Sequence, residues 1–341
     1  MSLKNLNVTT KIPRPLKNKL NNLRINNIYK SFEKSLNINE DFIVAVSGGP
    51  DSLALAFLSK IYSSIKNVKS KFFIVDHKLR EDSTKEATKV KKILKKHSIH
   101  SEILTWYGKK PVKNIQSLAR KKRYDLLLSK SRKLKIKNIL LGHHQNDLFE
   151  NFFIRILRGS GLKGIISLDK KSKIDGINLL RPLLYQKKED LIFVSKKVFN
   201  FYIKDPFNED EKFLRIGVRK LINELEKKGL DRKKFNTTIQ NLKYSNEVIS
   251  FYVKKNVDLN SSYSVKKKRI ILNKKFFQQP YEVIFRSFSD LISVIGGKYY
   301  PVRGKKIDKI LNEIQKNSFF KGTLGGCILE KVNQTIIISK E

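Results

Sequence analysis

Four short apolar runs, FIVAV (42–46), KFFIVDH (71–77), SEILTW (101–106) and NILLGHH (138–144), recur through the first half of the chain, with amphipathic stretches at about 51–62, 83–97 and 114–134 between them. Runs of that length bounded by polar clusters read as strands, and the stretches between them are long enough to be helical crossovers joining parallel strands. Alternation of this kind confines the chain to an α/β fold, a doubly wound, mostly parallel, Rossmann-like sheet. Such sheets hold ligands at the carboxyl ends of their strands. The polar clusters fall there: SGGPDS (47–52) after the first run, DHKLREDS (76–83) after the second and HHQNDLFEN (143–151) at the end of the fourth.

The rest of the chain is organised differently. Residues 1–40 read as a basic extension with one helix from Leu16 to Leu36, and the α/β domain as 41–225. Helical periodicity covers 187–204, 212–228 and 233–256, so 226–260 reads as a helical linker. A small α+β domain follows over 261–341, with strands at 265–272, 327–331 and 335–339 and helices near 280–295 and 304–316.

Charge narrows the partners. The 72 Lys and Arg residues against 31 Asp and Glu give a net charge of +41 on 341 residues. Neutralising phosphates releases counterions, so an excess of this size points to a polyanion such as nucleic acid. Part of it is also what a Lys-, Asn- and Ile-rich composition places on solvated faces. The single cysteine, Cys327, excludes an internal disulfide, a CxxC pair and a four-cysteine zinc site, and reads as a small buried apolar residue. No apolar run reaches the roughly 18 residues of a spanning helix, and the first twenty residues lack a signal core, so a cytoplasmic protein is expected.

SGGPDS carries the chemistry. Gly48 and Gly49 allow backbone conformations barred to other residues, so consecutive amides can face an anion at a helix N-terminus, with Ser47 and Ser52 adding hydroxyls beside Pro50. No GK[ST] follows, so this is not a Walker A loop. Asp51 suits a Mg²⁺ ligand, and equally a helix N-cap. In HHQNDLFEN the spacing of His143, Asp147, Glu150 and Asn151 by three or four places them on one face of a helix. Carboxylates there can grip a cationic amine and take its proton. A zinc site is disfavoured, because adjacent histidines on a helix diverge by roughly 100°. The bland alternative is a pair of N-terminal carboxylates favoured by the helix dipole.

Taken together, the motifs carry a resemblance. VAVSGGPDSLAL is similar to the SGGxDS loop of the N-type ATP pyrophosphatases, the PP-loop superfamily. VDHKLREDS, ARKKRY (119–124), LGHHQNDLFEN, RILRGSGLKGI (155–165), RPLL (181–184), DPFNEDEKFLRIGVR (205–219) and GGC (325–327) resemble, in order, the motifs of its tRNA(Ile)-lysidine synthetase branch. That resemblance implies a ligase that uses ATP and Mg²⁺ to adenylate the 2-carbonyl of the wobble cytidine in the CAU anticodon of tRNA(Ile). Free L-lysine then displaces AMP, and reading changes from AUG to AUA. It implies catalytic roles for Asp51, His143, Asp147, Glu150 and Arg120, and nucleotide contacts from Ser47, Gly48, Gly49, Pro50, Asp51, Ser52, Asp76, His77, Gly142 and Arg158, with Asp51 the metal ligand. Arg120 and Arg123 share a helical face with Tyr124, and Arg155 and Arg158 lead into the Gly159-Ser160-Gly161 turn, where guanidinium forks suit phosphate or carboxylate; Arg181, Asp205, Asn208, Arg215 and Arg219 would close the site, with Asp76 and His77 equally suited to capping a turn.

Lys78 departs from the family pattern, standing where glycine is usual, and Phe207 and Ile216 replace the usual Ser and Asn. The basic, aromatic stretch 298–309, with Tyr299, Tyr300 and Arg303, is a candidate tRNA surface or a plain surface loop. Thiolases on this loop need cysteine pairs or an iron–sulfur cluster, and amidotransferases a nucleophilic cysteine, which one cysteine does not supply. A synthetase acting on a small molecule and a noncatalytic tRNA-binding protein stay open as alternatives, as does a homodimer.

Overall fold

A computed structural model of the chain describes residues 12–79, 81–108, 115–203, 214–264, 269–298, 302–316 and 320–341. It divides into two units, Met1–Leu230 and Asp231–Glu341.

In the first unit, β1 (Phe42–Val46), β2 (Ser70–Asp76), β3 (Ser101–Thr105) and β4 (Asn138–Leu140) fall where the apolar runs predict. A hairpin of β5 (Lys171–Ile174) and β6 (Ile177–Leu180) completes a sheet in the order β3-β2-β1-β4-β6-β5, parallel except for β5. Both faces are covered, as a parallel sheet requires. Alternate residues of one strand therefore enter different cores. Phe42, Val44 and Val46 join Phe72 and Ile74 in one, while Ile43, Phe73, Ile139 and Leu179 pack with Leu127 and Leu128 of α5 (Ile115–Leu134) in the other. The hub of the first core is α3 (Pro50–Lys66), in which Leu53 through Leu58 are all buried.

The expected single helix over Leu16–Leu36 is two helices, α1 (Arg14–Lys19) and α2 (Leu23–Leu36). Asn22 breaks the run by capping α2, its side chain accepting from the Ile25 amide at 3.2 Å. These helices belong to the α/β core: Leu16, Ile25, Ile28, Phe32 and Leu36 are buried in it, each contributing about 1.5–3 kcal/mol. Further along come α4 (Ser83–Lys96), α6 (Gln145–Leu157), the short α7 (Leu162–Ile165), α8 (Lys188–Phe199) and α9 (Leu214–Lys227).

The second unit opens with α10 (Arg232–Asn260). Residues 231–260 of the segment expected as a linker lie in this unit, where Val253 and Asn256 of α10 are buried and the Asn256 amide donates to Phe276 O at 3.3 Å and to Ser287 Oγ at 3.2 Å. An antiparallel sheet of β7 (Ser261–Ser264), β8 (Arg269–Leu272), β9 (Phe320–Leu324), β10 (Cys327–Val332) and β11 (Thr335–Lys340) runs in the order β7-β8-β11-β10-β9. Against it pack α11 (Tyr281–Gly296) and α12 (Gly304–Lys316). Gly325 and Gly326, at φ +65° and +85°, make the two-residue turn from β9 to β10 that only residues free in the left-handed region form easily. A Cβ on Gly296 at the end of α11 would lie 2.0 Å from Gly325 O, so the helix end sits directly on this turn. Cys327 behind it is fully buried, and burial pushes its thiol up, as a structural cysteine.

Candidate active site

The turn after β1 is held by one side chain. Ser52 Oγ accepts from the Ser47 and Gly48 amides, both at 3.1 Å, lies 3.2 Å from Ser47 Oγ and donates to Gly49 O at 3.0 Å. The two serines are thus bonded into the loop, whereas the sequence suggested that both hydroxyls and the Gly48 amide would face an anion. Available to a ligand are the first-turn amides of α3, which a helix cannot satisfy internally, with the positive end of its dipole. Gly48 holds φ +88°, and a Cβ there would meet Val90 Cγ2 at 2.6 Å and Ile203 Cδ1 at 2.7 Å. Its carbonyl also accepts from the Ile203 amide at 2.9 Å, so the chain leaving α8 braces the loop. Gly49 is the N-cap of α3 and Pro50 its first residue, which puts Asp51 in the first turn and removes the capping alternative.

From the other side comes the end of β4. A Cβ on Gly142 would lie 3.4 Å from backbone atoms of Asp51 and Ser52, so glycine here lets the two loops approach. His143 and His144 precede α6, so His143 does not share a helical face with Asp147 and Glu150 as the spacing suggested. His144 is the N-cap, with extended backbone; its Nδ1 accepts from the Asn146 amide at 3.2 Å while Asp147 Oδ2 accepts from the His144 amide at 3.0 Å. This capping box turns His144 Nε2 toward two carboxylates, Asp51 Oδ2 at 3.5 Å and Asp147 Oδ2 at 3.6 Å. Burial opposes protonation of this ring, but Asp51 and Asp147 outweigh it and raise its pKa. Burial alone would raise the Asp147 carboxyl, yet the charge on His144, the hydrogen bond from the His144 amide and the charge on Arg215 hold it below the usual range.

His143 is the opposite case. Burial, aided by Arg181, Arg120 and Arg215 and opposed by Asp147, drives its pKa down, so the imidazole is neutral, with Nδ1 buried and without a hydrogen-bond partner among the described residues. Around it converge arginines from three elements. Arg120 of α5 reaches Tyr124 Oη at 3.5 Å, Arg215 extends from α9, and buried Arg181 donates to Asp169 O at 2.8 Å and Ser172 Oγ at 3.0 Å. Glu150, 2% exposed, accepts from Arg219 Nε at 2.6 Å, with Arg215 Nε at 3.4 Å from its other oxygen. Its charge is matched from α9.

Of the two readings of Asp76, the turn is the one seen. Its carboxylate accepts from the Lys78 amide at 2.9 Å, Ser83 Oγ at 2.8 Å and Thr84 Oγ1 at 2.6 Å. Burial would raise its pKa, and these bonds hold it below the ordinary value instead. Lys78 sits at φ +49°, which explains why glycine is usual there. His77 beside it is kept neutral, pushed down to about 4 by burial and the nearby Arg123, against Asp76.

Not every candidate gathers here. Arg158 is the exposed C-cap of α6, thirteen residues past its start and about 20 Å from it, away from the phosphate loop. Asn151 donates to Ser167 Oγ at 3.3 Å, an internal brace. Ile216 lies half-buried on α9. Asp205, Phe207, Asn208, Tyr299 and Tyr300 fall outside the described residues. The sequence does not separate the role of His144 from that of His143, although a histidine three before an acid that opens a helix has the spacing of a capping box.

The family profile described as a PP-loop domain matches residues 17–225. The tRNA(Ile)-lysidine synthase of Orientia tsutsugamushi is 33% identical over 317 residues, covering 89% of this chain and 70% of that protein. This chain belongs to the tRNA(Ile)-lysidine synthase family. The Wolbachia pipientis wMel member of the family is 32% identical, over 89% of this chain and 71% of its own. Among solved structures, a U34-tRNA thiolase NcsA from Methanococcus maripaludis, with its [4Fe-4S] cluster, superposes with a TM-score of 0.56 at 18% identity, covering 66% of this chain and 79% of that one. That likeness is of fold: the lysidine synthase family and the thiolase share the α/β scaffold. The matched family region begins inside α1, in keeping with the burial of α1 and α2 in the sheet's core.

Proposed function

We propose that this chain joins free L-lysine to C2 of the wobble cytidine in a CAU-anticodon isoleucine tRNA, consuming ATP and releasing pyrophosphate and AMP. The observation that carries this reading is the contact of His144 with Asp51, which joins the anion-binding turn after β1 to the acid-and-imidazole turn after β4. One reaction needs both: a triphosphate held while its α-phosphorus is attacked, and an amine stripped of its proton to displace the activated oxygen.

The first-turn amides of α3 take the leaving diphosphate, with Gly48 and Ser52 shaping the loop. Asp51 Oδ1 is buried without a hydrogen-bond partner among the described residues and fits a cation. Among the described residues no group of three or more His, Cys, Asp or Glu is placed to hold a metal by itself, which suits Mg²⁺, a cation commonly shared between one carboxylate and phosphates. Bound there, Mg²⁺ would neutralise phosphate charge. The Arg120, Arg181 and Arg215 cluster binds phosphate or carboxylate bidentately, and neutral His143 among those cations offers or accepts a hydrogen bond without adding charge. Asp147, kept ionised, grips the lysine ammonium; Glu150, already matched by Arg219, orients the arginines of α9.

In the second unit a groove of about 870 Å³ is lined by Lys298, Arg303, Lys306 and Lys309, which outnumber its two carboxylates, Glu313 and Glu341, and by Thr323 and the Gly325–Gly326 turn. We assign it to a part of the tRNA remote from the anticodon. The test is incubation of the full chain with ATP, Mg²⁺, labelled lysine and total tRNA. Label should enter CAU-anticodon isoleucine tRNA alone; pyrophosphate release independent of tRNA would turn the reading to a small-molecule synthetase, and tRNA binding without ATP turnover to a noncatalytic role.

A further inference from the structure

At the carboxyl edge of the sheet, beyond β2 and β3, stands a pair that none of these assignments uses. Tyr107 is 82% exposed, and Lys78 Nζ lies 4.8 Å from the centroid of its ring. A cation on one face of a ring this exposed leaves the other face open to solvent. The pair is built into the fold through one residue: the Asp76 carbonyl accepts from the Trp106 amide at 2.9 Å, and the Asp76 carboxylate accepts from the Lys78 amide at the same distance. Asp76 thereby holds the residue before Tyr107 and the backbone of Lys78, and its bonds to Ser83 and Thr84 lock that node to the start of α4.

Position gives the pair its meaning. β3, which leads into Tyr107, is two strands from β1, which leads into the phosphate loop, so the two strand ends are about 10 Å apart across the edge of the sheet. Arg123, which acts on His77 next door, keeps this part of the edge cationic. An aromatic face with an ammonium beside it takes a flat base and its phosphate together, the pairing that binds single-stranded nucleic acid without reading sequence.

We propose that Lys78 and Tyr107 form a stacking platform for an unpaired base of the RNA substrate neighbouring the reacting nucleotide, the ring taking the base and the ammonium its phosphate. The inference rests on the reading of the substrate as a tRNA anticodon. A glycine at position 78 would supply no such cation, so the platform in this form belongs to chains carrying a lysine there.

The test uses the full chain and an anticodon stem-loop RNA with a CAU loop and 2-aminopurine beside the wobble position. Tyr107→Ala should weaken binding roughly tenfold or more and lose the quenching of the fluorophore, while Tyr107→Phe keeps both. Lys78→Ala should weaken binding and lower the salt dependence by about one phosphate contact. ATP affinity should stay at the wild-type value in all three, and the melting temperature should fall by no more than a few degrees, since the contact removed is an exposed one. Stem-loop affinity and quenching unchanged in Tyr107→Ala overturn the platform, as does a loss confined to ATP affinity, which would assign the ring to adenine. A wild-type chain that binds the RNA through this ring yet forms no lysidine sinks the ligase reading and leaves the platform standing.

Discussion

His144 Nε2 lies 3.5 Å from Asp51 Oδ2 while Nδ1 of the same ring caps α6, so one imidazole ties the first turn of α3 to the first turn of α6. The two ends of the ring make opposing demands. The cap needs a lone pair on Nδ1, whereas the carboxylates favour a second proton. With the folded pKa raised above 6.5, the charged contact contributes fully below the unfolded value of 6.5 and is lost as pH rises through the folded one. The depressed Asp147 runs the other way, contributing fully above 3.8 and losing its share as pH falls through its folded pKa. His144→Asn retains a capping side chain but removes the imidazole. Its deficit in urea midpoint relative to wild type should therefore be largest near pH ~6 and shrink toward pH ~9. A deficit independent of pH would show that the ring acts through packing alone.

The two glycines of the loop should separate cleanly. At Gly48 a methyl group is blocked by Val90 and Ile203 and the backbone is left-handed, so Gly48→Ala should cost about 2–4 kcal/mol of stability, with loss of ATP binding. At Gly49 the backbone is extended and a Cβ would meet only Ser47 Oγ at 3.8 Å. Gly49→Ala should stay within about 1 kcal/mol of wild type, the difference being that alanine is a poorer N-cap. Thermal melts of the two variants measured side by side decide this; equal melting temperatures would show that Val90 and Ile203 yield.

Much of this arrangement is legible in the sequence, for reasons that also mark where legibility ends. β1 to β4 and α3 to α5 follow from apolar period, because burial on both faces of a parallel sheet leaves unbroken apolar runs. The hairpin of β5 and β6 was missed although its signal is present: Asp175 and Gly176, at φ +47° and +81°, are an Asp-Gly turn between alternating residues. At α1 and α2 the spacing of Ile25, Ile28, Tyr29, Phe32 and Leu36 was visible, but nothing local says that this face meets α3 and not solvent. The spacing of His143, Asp147 and Glu150 misled for a different reason. Periodicity does not reveal the residue at which a helix begins, and here it begins at Gln145. The match of Glu150 to Arg219 joins residues 69 apart in sequence and depends on tertiary packing alone.

That ion pair supports its own prediction. Glu150 is nearly inaccessible, whereas Arg219 keeps 31% of its side chain exposed and Arg215 remains at 3.4 Å, so Arg219→Met leaves the carboxylate only partly uncompensated. The cost should be about 1–3 kcal/mol, below that of breaking a fully buried pair. Glu150→Gln, still able to accept from Arg219, should cost less than Arg219→Met. In a double-mutant cycle on urea unfolding the two should be coupled by about 1 kcal/mol or more. Additive effects would mean that the contact contributes nothing and that Glu150 is free to serve the substrate.

Lys78 offers a measure of backbone strain beside the site. Its φ of +49° is cheap for glycine and costs other residues about 1 kcal/mol. Replacement by glycine removes that strain and also the contact with Tyr107, an exposed cation–ring interaction of about 0.5–1 kcal/mol, so Lys78→Gly should fall within about 0.5 kcal/mol of wild type. Lys78→Ala loses the same contact and keeps the strain, and should be less stable than Lys78→Gly by about 1 kcal/mol even though alanine is ordinarily the residue with less entropy to lose on folding. Urea titration of the two variants gives the difference directly. If alanine equals or exceeds glycine, the turn after β2 has relaxed out of the left-handed region, and the Asp76 bond to the Lys78 amide does not hold it there.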